Sequence, residues 1–436
     1  MKLAVVGGGW AGMAAAVAAT QRGHTVSVFE ATHTLGGRAR MLQASLPDGQ
    51  SVMLDNGQHI LIGAYTETLR LMRCVGVNPD AVLLRRPLAL PFADGSGLQT
   101  PNWAAHWPAP LDALAAIATA HGWNWRERWS LIRASLGWRM AGFTCLPSLS
   151  VAQLCQGLAP RVLHELIAPL CVSALNTPME QACAQVFLRV LHDALFGIRG
   201  GSHLLLPQTD LTALFPDPAA RWLMQHGAHV HMNQRVEQLN WQAGQWLVNT
   251  QPFERVILAT SASNTAKTLM ECAGASPKEI AKRMQTWADT ANALRFESIA
   301  TVYAWGEQAR LPHPMLALHS TRDAPAQFVF DRGQFGGPQG LLAFVVSAST
   351  GSREALEAAV LQQARDQLAN LALPTLQNVQ TVVEKRATFA CTPGLVRPEQ
   401  PIAPGLWAAG DYLAGPYPAT LEGAVRSGWG AGSVQP

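Results

Sequence analysis

The chain opens on a short apolar run, Lys2–Val6, that stops at glycine and predicts a buried strand. Alanine dominates residues 11–21 up to Gly23, which predicts a helix closed by glycine. The β-branched run Thr25–Phe29 predicts a second strand, so the first thirty or so residues read as a βαβ unit. From about residue 102 to 138 the texture changes: Trp103, Trp107, Trp123, Trp125, Trp129 and Trp138 crowd together, six of the chain's 14 tryptophans. Trp125–Met140 has helical character, with arginines at 126, 128, 133 and 139 among the apolar positions, and further helical pieces are predicted over 150–170 and 179–195. Period-two segments then predict strands at 229–232, 235–239, 245–249 and 255–259. More strands are expected at 298–305 and 341–347, a helix over 352–372, and a last strand at 406–409 leading into Gly410-Asp411.

Composition narrows the class. At 436 residues the chain is too long for one small core, and 48 % apolar against 14 % charged residues implies a large interior or a surface that meets something greasy. A net charge of +3 is too small to argue for a nucleic-acid partner. The seven cysteines are odd in number and include no C-x-x-C pair, which points to free, mostly buried thiols in a reducing compartment and to no zinc or other metal site. One lysine followed by an apolar run gives the N-terminus the outline of a signal peptide, but three consecutive glycines and a patterned continuation fit a nucleotide-binding turn better. No stretch supplies the ~20 uninterrupted apolar residues that cross a bilayer.

The chemistry is written at the two ends. Gly7, Gly9 and Gly12 form G-x-G-x-x-G directly after the first strand, with Trp10 and Ala11 between them. In such a turn the first glycine makes the bend, the second admits a pyrophosphate and the third lets helix lie close to sheet. The helix N-terminus adds N–H donors and partial positive charge. Glu30, at the end of the second strand, stands where an acid binds ribose hydroxyls. Gly36-Gly37-Arg38 can set a guanidinium beside the pyrophosphate. Near the C-terminus Gly410-Asp411 again follows a strand, a carboxylate for ribityl hydroxyls. Thr420 is then placed as the N-cap of a helix beginning Leu421-Glu422-Gly423-Ala424. A helix end aimed at a flavin's pyrimidine edge stabilises the negative charge of the reduced ring.

As a set these motifs resemble the flavin amine oxidase and phytoene desaturase superfamily. The resemblance implies bound FAD. It implies a mixed α/β fold in which a Rossmann-like FAD-binding domain is built from both chain ends, with an interleaved substrate domain and a helical cap. The expected division is FAD-binding segments at 1–75, 221–270 and 386–436, a largely helical substrate and cap region at 76–220, and substrate-domain strands and helix at 271–385. It also places Val236 against the adenine through its backbone and carries the family's Gly-Asp pair onto Gly410 and Asp411. The segments Leu54-Asp55-Asn56-Gly57-Gln58-His59, Asn176-Thr177-Pro178-Met179-Glu180 and Asp210-Leu211-Thr212-Ala213-Leu214 are similar to the hydroxysqualene dehydroxylases of hopanoid biosynthesis.

That second resemblance implies a hydrophobic polyprenyl substrate, hydroxysqualene, reduced to squalene with loss of an allylic hydroxyl. An acid protonates the departing water, reduced flavin delivers hydride, and an apolar pocket keeps water from recapturing the cation. Asn56 and Gly57 are expected beside the flavin. His59 and Asp55 are the candidate acids, with a structural role open for each: Asp55 and Asn56 holding a turn, His59 packing in the core. Arg386, Tyr412 and Tyr417 are candidates for lining the cavity, while His192 and Asp193 read as surface or cap residues. An external electron donor is expected, because no second dinucleotide fingerprint exists.

Three other readings stand beside this one. A carotenoid-type desaturase shares every flavin motif. An amine oxidase usually carries a lysine on the strand around 295–303, and this chain has none there. A lipid carrier would not need Glu30, Arg38 or Asp411. The tryptophan-rich block lines the cavity or touches a membrane. The expected location is the cytoplasm, with peripheral attachment to the inner face of the cytoplasmic membrane.

Overall fold

The computed structural model describes residues 1–108 and 110–434. Its organising feature is a six-stranded sheet in the order His229–His231, Thr25–Phe29, Lys2–Val6, Arg255–Leu258, Leu406–Ala408, Pro401–Ala403. The first five strands run parallel and the last turns back antiparallel. Each central strand is a short, mostly apolar and buried run because helices cover both faces of a parallel sheet. The first strand sits in the middle, so segments from the start, middle and end of the chain meet along it.

Two helices lock that meeting in place. The helix Trp10–Gln21 packs along the C-terminal helix Leu421–Ser433. The approach is close enough that a Cβ on Gly428 would fall 2.0 Å from the carbonyl oxygen of Ala11, and one on Gly432 2.2 Å from that of Ala15. Glycines four residues apart thus let one backbone lie on the other, a role the sequence did not announce. A small antiparallel sheet of Leu239–Gln242, Gln245–Val248 and Gln251–Phe253 links the outer strand to Arg255–Leu258.

The second large unit is a five-stranded antiparallel sheet, ordered Met315–Ala317, Phe328–Asp331, Leu341–Ser347, Phe296–Trp305, Gln377–Phe389. One face is covered by the helix Arg353–Gln367 over a cluster that includes Val302, Phe344, Leu356 and Val360. The other face closes over a cavity whose opposite wall is the helical block from Leu111–Ala118 to Ala184–His192.

Several expected elements change. No ladder forms over 235–238; the strand there is Leu239–Gln242, because the Asn249 side chain takes the backbone N–H groups of Glu237 and Gln238. The helix expected over 352–372 ends at Gln367 and gives way to a tight turn, Ala369–Leu371, with Ala372 left-handed. The helical pieces expected over 150–170 are present and short, broken around Pro160 and Pro169, with the π-helical stretch Leu163–Ile167 between them. The helix expected from 179 starts at Ala184 and relaxes into a second π-helical stretch, Asp193–Gly197. The 13-residue strand Gln377–Phe389 was not foreseen. No described helix is long and apolar enough to cross a membrane.

Candidate active site

One cavity of about 1160 Å³ runs from the Gly7 turn to the helical block, larger than the roughly 300–1,000 Å³ of an ordinary small-molecule pocket. Its first half is lined by Gly7, Gly9, Trp10, Ala11, Glu30, Gly36, Gly37, Arg38, Val236, Gly410, Asp411 and Thr420. Residues far apart in sequence therefore form one wall. The glycines divide their work as the motif demands. A Cβ on Gly12 would sit 1.9 Å from the Gly7 carbonyl oxygen, so Gly12 keeps the turn tight and lies behind the wall. A Cβ on Gly9 would meet nothing closer than 3.8 Å, so Gly9 leaves open space where a phosphate approaches. The helix that follows has no side-chain cap at Gly9 and no acid in its first turn, so its N–H groups remain available to an anion.

Glu30 is buried and accepts three hydrogen bonds. Oε2 takes Gly8 N–H at 2.7 Å, and Oε1 takes the N–H and hydroxyl of Thr32, each at 2.8 Å. A carboxylate has about four acceptor sites, so one stays open for a ribose hydroxyl. Arg38 reaches across the cavity to pair with the Asp411 carboxylate, and its other nitrogen donates to the carbonyl of Ala387. The Gly36-Gly37-Arg38 turn and the Gly410-Asp411 loop thus face one another. Asn56 joins them, donating to the Arg38 carbonyl at 3.0 Å and to Glu384 at 3.3 Å. Thr420 caps the C-terminal helix by accepting Gly423 N–H at 3.0 Å.

Two residues expected at the cofactor turn elsewhere. Glu422 is fully buried, taking the N–H groups of Glu67 and Thr68, the Thr68 hydroxyl and the Arg426 guanidinium, and so fastens the helix Thr66–Cys74 to the C-terminal helix. Gly423 lies against the Tyr417 carbonyl, 1.9 Å from where its Cβ would be. Ala424 is the member of that trio on the cavity wall.

Asp55 and His59 separate. Asp55 is off the wall: Oδ1 accepts Leu211 N–H at 2.8 Å, Arg332 lies 3.9 Å from Oδ2, and its backbone oxygen accepts the Tyr303 hydroxyl at 3.0 Å. Burial pushes its carboxyl up to about 6, with Arg332 and the Leu211 N–H opposing and Asp210 adding to the rise. His59 is on the wall. Its Nδ1 lies 2.8 Å from the Gly57 carbonyl, which fixes Nδ1 as donor and leaves Nε2 as acceptor. Burial lowers its pKa, the Gly57 carbonyl opposing and Arg38 adding to the fall, so the ring is neutral at pH 7. The turn that presents it depends on Gly57, at φ +104°.

The second half of the cavity is apolar, walled by Leu90, Ile117, Leu166, Leu191, Phe196, Phe328 and Phe330 among others. This is the interior that a low-charge chain encloses.

Comparison with known proteins agrees with the geometry. Residues 10–432 match the model of the flavin containing amine oxidoreductase family. The chain belongs to that family. Hydroxysqualene dehydroxylases from Zymomonas mobilis and Sinorhizobium fredii are 23 % and 24 % identical over 97 % of this chain, and the match covers 96 % and 95 % of theirs. In fold, an oxidoreductase from Methanosarcina mazei superimposes with a TM-score of 0.71 at 17 % identity, covering 99 % of both chains. As a member of this family the protein is an FAD-dependent oxidoreductase.

On the family fold, the most organised polar group on the apolar half of the wall is centred on Asp193, which the sequence reading gave, with His192, to the surface or the cap. Asp193, the first residue of the second π-helical stretch, accepts Arg189 Nε at 2.6 Å and lies 2.7 Å from His192 Nδ1. The hydroxyl of Tyr417, from the loop between Asp411 and Thr420, interacts with the same carboxylate. Both Asp193 and Tyr417 line the cavity. Burial, despite its opposite push, is outweighed at Asp193 by its hydrogen bonds, and the carboxyl is held below its usual range. Burial and then Asp193 push the Tyr417 phenol above its own. Wide helical turns are over-represented at functional sites, the one signal that pointed here. Tyr412 is buried and bonds Thr265, while Arg386 bonds Ser263 at 2.8 Å; both are on the wall. Asn176 is structural: left-handed at φ +45°, it donates to Thr388 and accepts Ala348 N–H, tying the helical block to the long strand.

Proposed function

We propose that the protein reduces hydroxysqualene to squalene, removing an allylic hydroxyl as water. The observation that carries this reading is the one continuous cavity that joins the nucleotide cradle to an apolar chamber, with Asp193, Tyr417 and His59 among the polar groups on its wall. An elongated hydrocarbon with one hydroxyl matches that division, and the curated relatives that span the chain bear the corresponding name. The balance is hydroxysqualene plus two electrons and two protons, giving squalene and water. FAD, held by the Gly7 turn, Glu30, Arg38, Asp411 and the Thr420 helix end, supplies the hydride when reduced.

The chain's own work is to orient, to donate a proton and to exclude water. His59, neutral with Nε2 as acceptor, is suited to hold the substrate hydroxyl and poorly suited to protonate it at pH 7. The Tyr417 hydroxyl, protonated at pH 7 and on the cavity wall, is the donor placed for the departing oxygen. Asp193 lies beside it, and half-exposed His192, bonded to Asp193, connects the site to solvent for reprotonation. The apolar walls then deny water to the developing cation. Asp55 serves as a structural anchor for the segment that carries His59. Electrons come from a separate reductase or a diffusing reduced carrier, and the substrate itself resides in a bilayer.

Incubation of the holoenzyme with hydroxysqualene and an artificial reductant, followed by mass spectrometry, tests the reading. Squalene formation dependent on the reductant is expected. Dehydrogenation of a polyene with an electron acceptor, and no squalene, would replace it with a desaturase.

A further inference from the structure

The tryptophan-rich block divides in two. Trp123 is buried with its Nε1 donating to Glu165 at 2.8 Å, and Trp138 lines the cavity. The other four face outward: Trp103 is 60 %, Trp107 43 %, Trp125 69 % and Trp129 56 % exposed. Single exposed apolar side chains are ordinary, but four exposed indoles in one block mark a surface that meets something.

The helix Trp125–Met140 shows how the two classes are sorted. At about 100° per residue, Trp125, Trp129, Leu136 and Met140 fall within a stripe of about 60°, with half-buried Ile132, packed on the core, at its edge. Leu131, Ser135 and Trp138, which line the cavity, lie on the other side. One helix therefore has greasy substrate space on one face and an exposed apolar stripe on the other, Met140 being 89 % exposed. Arginines border the stripe: Arg139 on one edge, Arg126 and Arg133 on the other. All three are exposed, and none forms an ion pair among the described residues. Between residues 102 and 146 the acids are Glu127 and buried Asp112 alone, against four arginines. The neighbouring helix Leu111–Ala118 packs on both this helix and the Asn102–Ala104 turn, which joins the Trp103–Trp107 pair to the same block.

We propose that this face seats the enzyme on a bilayer rich in anionic phospholipid, indoles and Met140 entering the headgroup boundary while Arg126, Arg133 and Arg139 meet phosphates. Positive charge around an apolar centre favours a lipid surface over a second copy, whose face would carry the same arginines. The docking rests on the exposed face alone. That it delivers substrate through the cap rests on the polyprenyl reading above.

The test is flotation of holoenzyme with vesicles of phosphatidylcholine, with or without phosphatidylglycerol, at low and high salt. Wild type is expected to float with the anionic vesicles and to be released in part by salt. The triple variant Trp125→Ala, Trp129→Ala, Met140→Ser is expected to lose at least about ten-fold in vesicle partitioning. It should keep its flavin absorbance and its activity on detergent-dispersed substrate, because its three sites are solvent-facing. Arg126→Gln, Arg133→Gln, Arg139→Gln is expected to abolish the preference for anionic lipid. Wild type remaining in the aqueous fraction with both vesicles would overturn the proposal. So would a Trp variant that floats like wild type, or one whose only change is dissociation of a dimer. Absence of squalene from wild type in detergent would defeat the substrate reading and leave the flotation result standing.

Discussion

At the scale of single residues, groups that touch the reaction stand apart from groups that hold the frame. Tyr417 is assigned to the first kind. Tyr417→Phe is expected to lower the rate of squalene formation by roughly 100-fold or more, the usual range for loss of a general acid, with flavin content unchanged. A variant of near wild-type rate would show that the proton comes from elsewhere. Asp55 is assigned to the second kind. Its carboxyl titrates near 6 in the folded protein, above the ~3.9 of an unfolded chain, so folding favours the protonated form. The associated stability is full below about pH 4 and is lost as pH rises through 6, on the order of 2–3 kcal/mol in all. Asp55→Asn keeps an acceptor for Leu211 N–H and removes the titration. Its melting temperature is therefore expected to fall less than that of wild type between pH 4.5 and 7.5 (an increment readable by calorimetry). Parallel curves would contradict the assignment. Sequence placed Asp55 and His59 beside each other and could not say which faced the cavity, because that depends on Leu211 and Arg332, distant in the chain.

At the scale of elements, legibility followed how local each signal is. Lys2–Val6, Thr25–Phe29 and Leu341–Ser347 are short runs whose apolar character is complete within themselves, and they stand where the pattern put them. Gln377–Phe389 was hidden because Glu384, Lys385 and Arg386 interrupt its alternation at the stretch where it becomes cavity wall. It is held by a ladder with Phe296–Trp305, a partner some eighty positions earlier. The Gly7 turn and the Gly410-Asp411 loop were readable as motifs, whereas the glycines that bring their helices together were not. Gly428→Ala tests that contact. The new Cβ meets backbone at Ala11, which cannot rotate away, so the helices must separate. A loss of about 1–3 kcal/mol in stability is expected, with weaker flavin retention in dialysis. Retention and melting equal to wild type would show that the approach is slack.

At the scale of the whole molecule, the architecture is a nucleotide fold whose two ends close on one another while the intervening chain builds an apolar chamber against them. Six tryptophans in one block were expected to line that chamber or touch a membrane; the structure gives Trp138 to the first and leaves four facing solvent. The composition was the early sign, since 14 % charge leaves a chain of this length short of polar cover. The proposed reaction is one event: transfer of two electrons from a flavin held by both chain ends into a polyprenyl alcohol lying in the adjoining chamber. The most direct measurement is an anaerobic single turnover, in which the flavin is reduced chemically, excess reductant is removed and hydroxysqualene is added. Reoxidation of the flavin with one squalene formed per flavin is the predicted result. Flavin that stays reduced while the alcohol is recovered intact would contradict it.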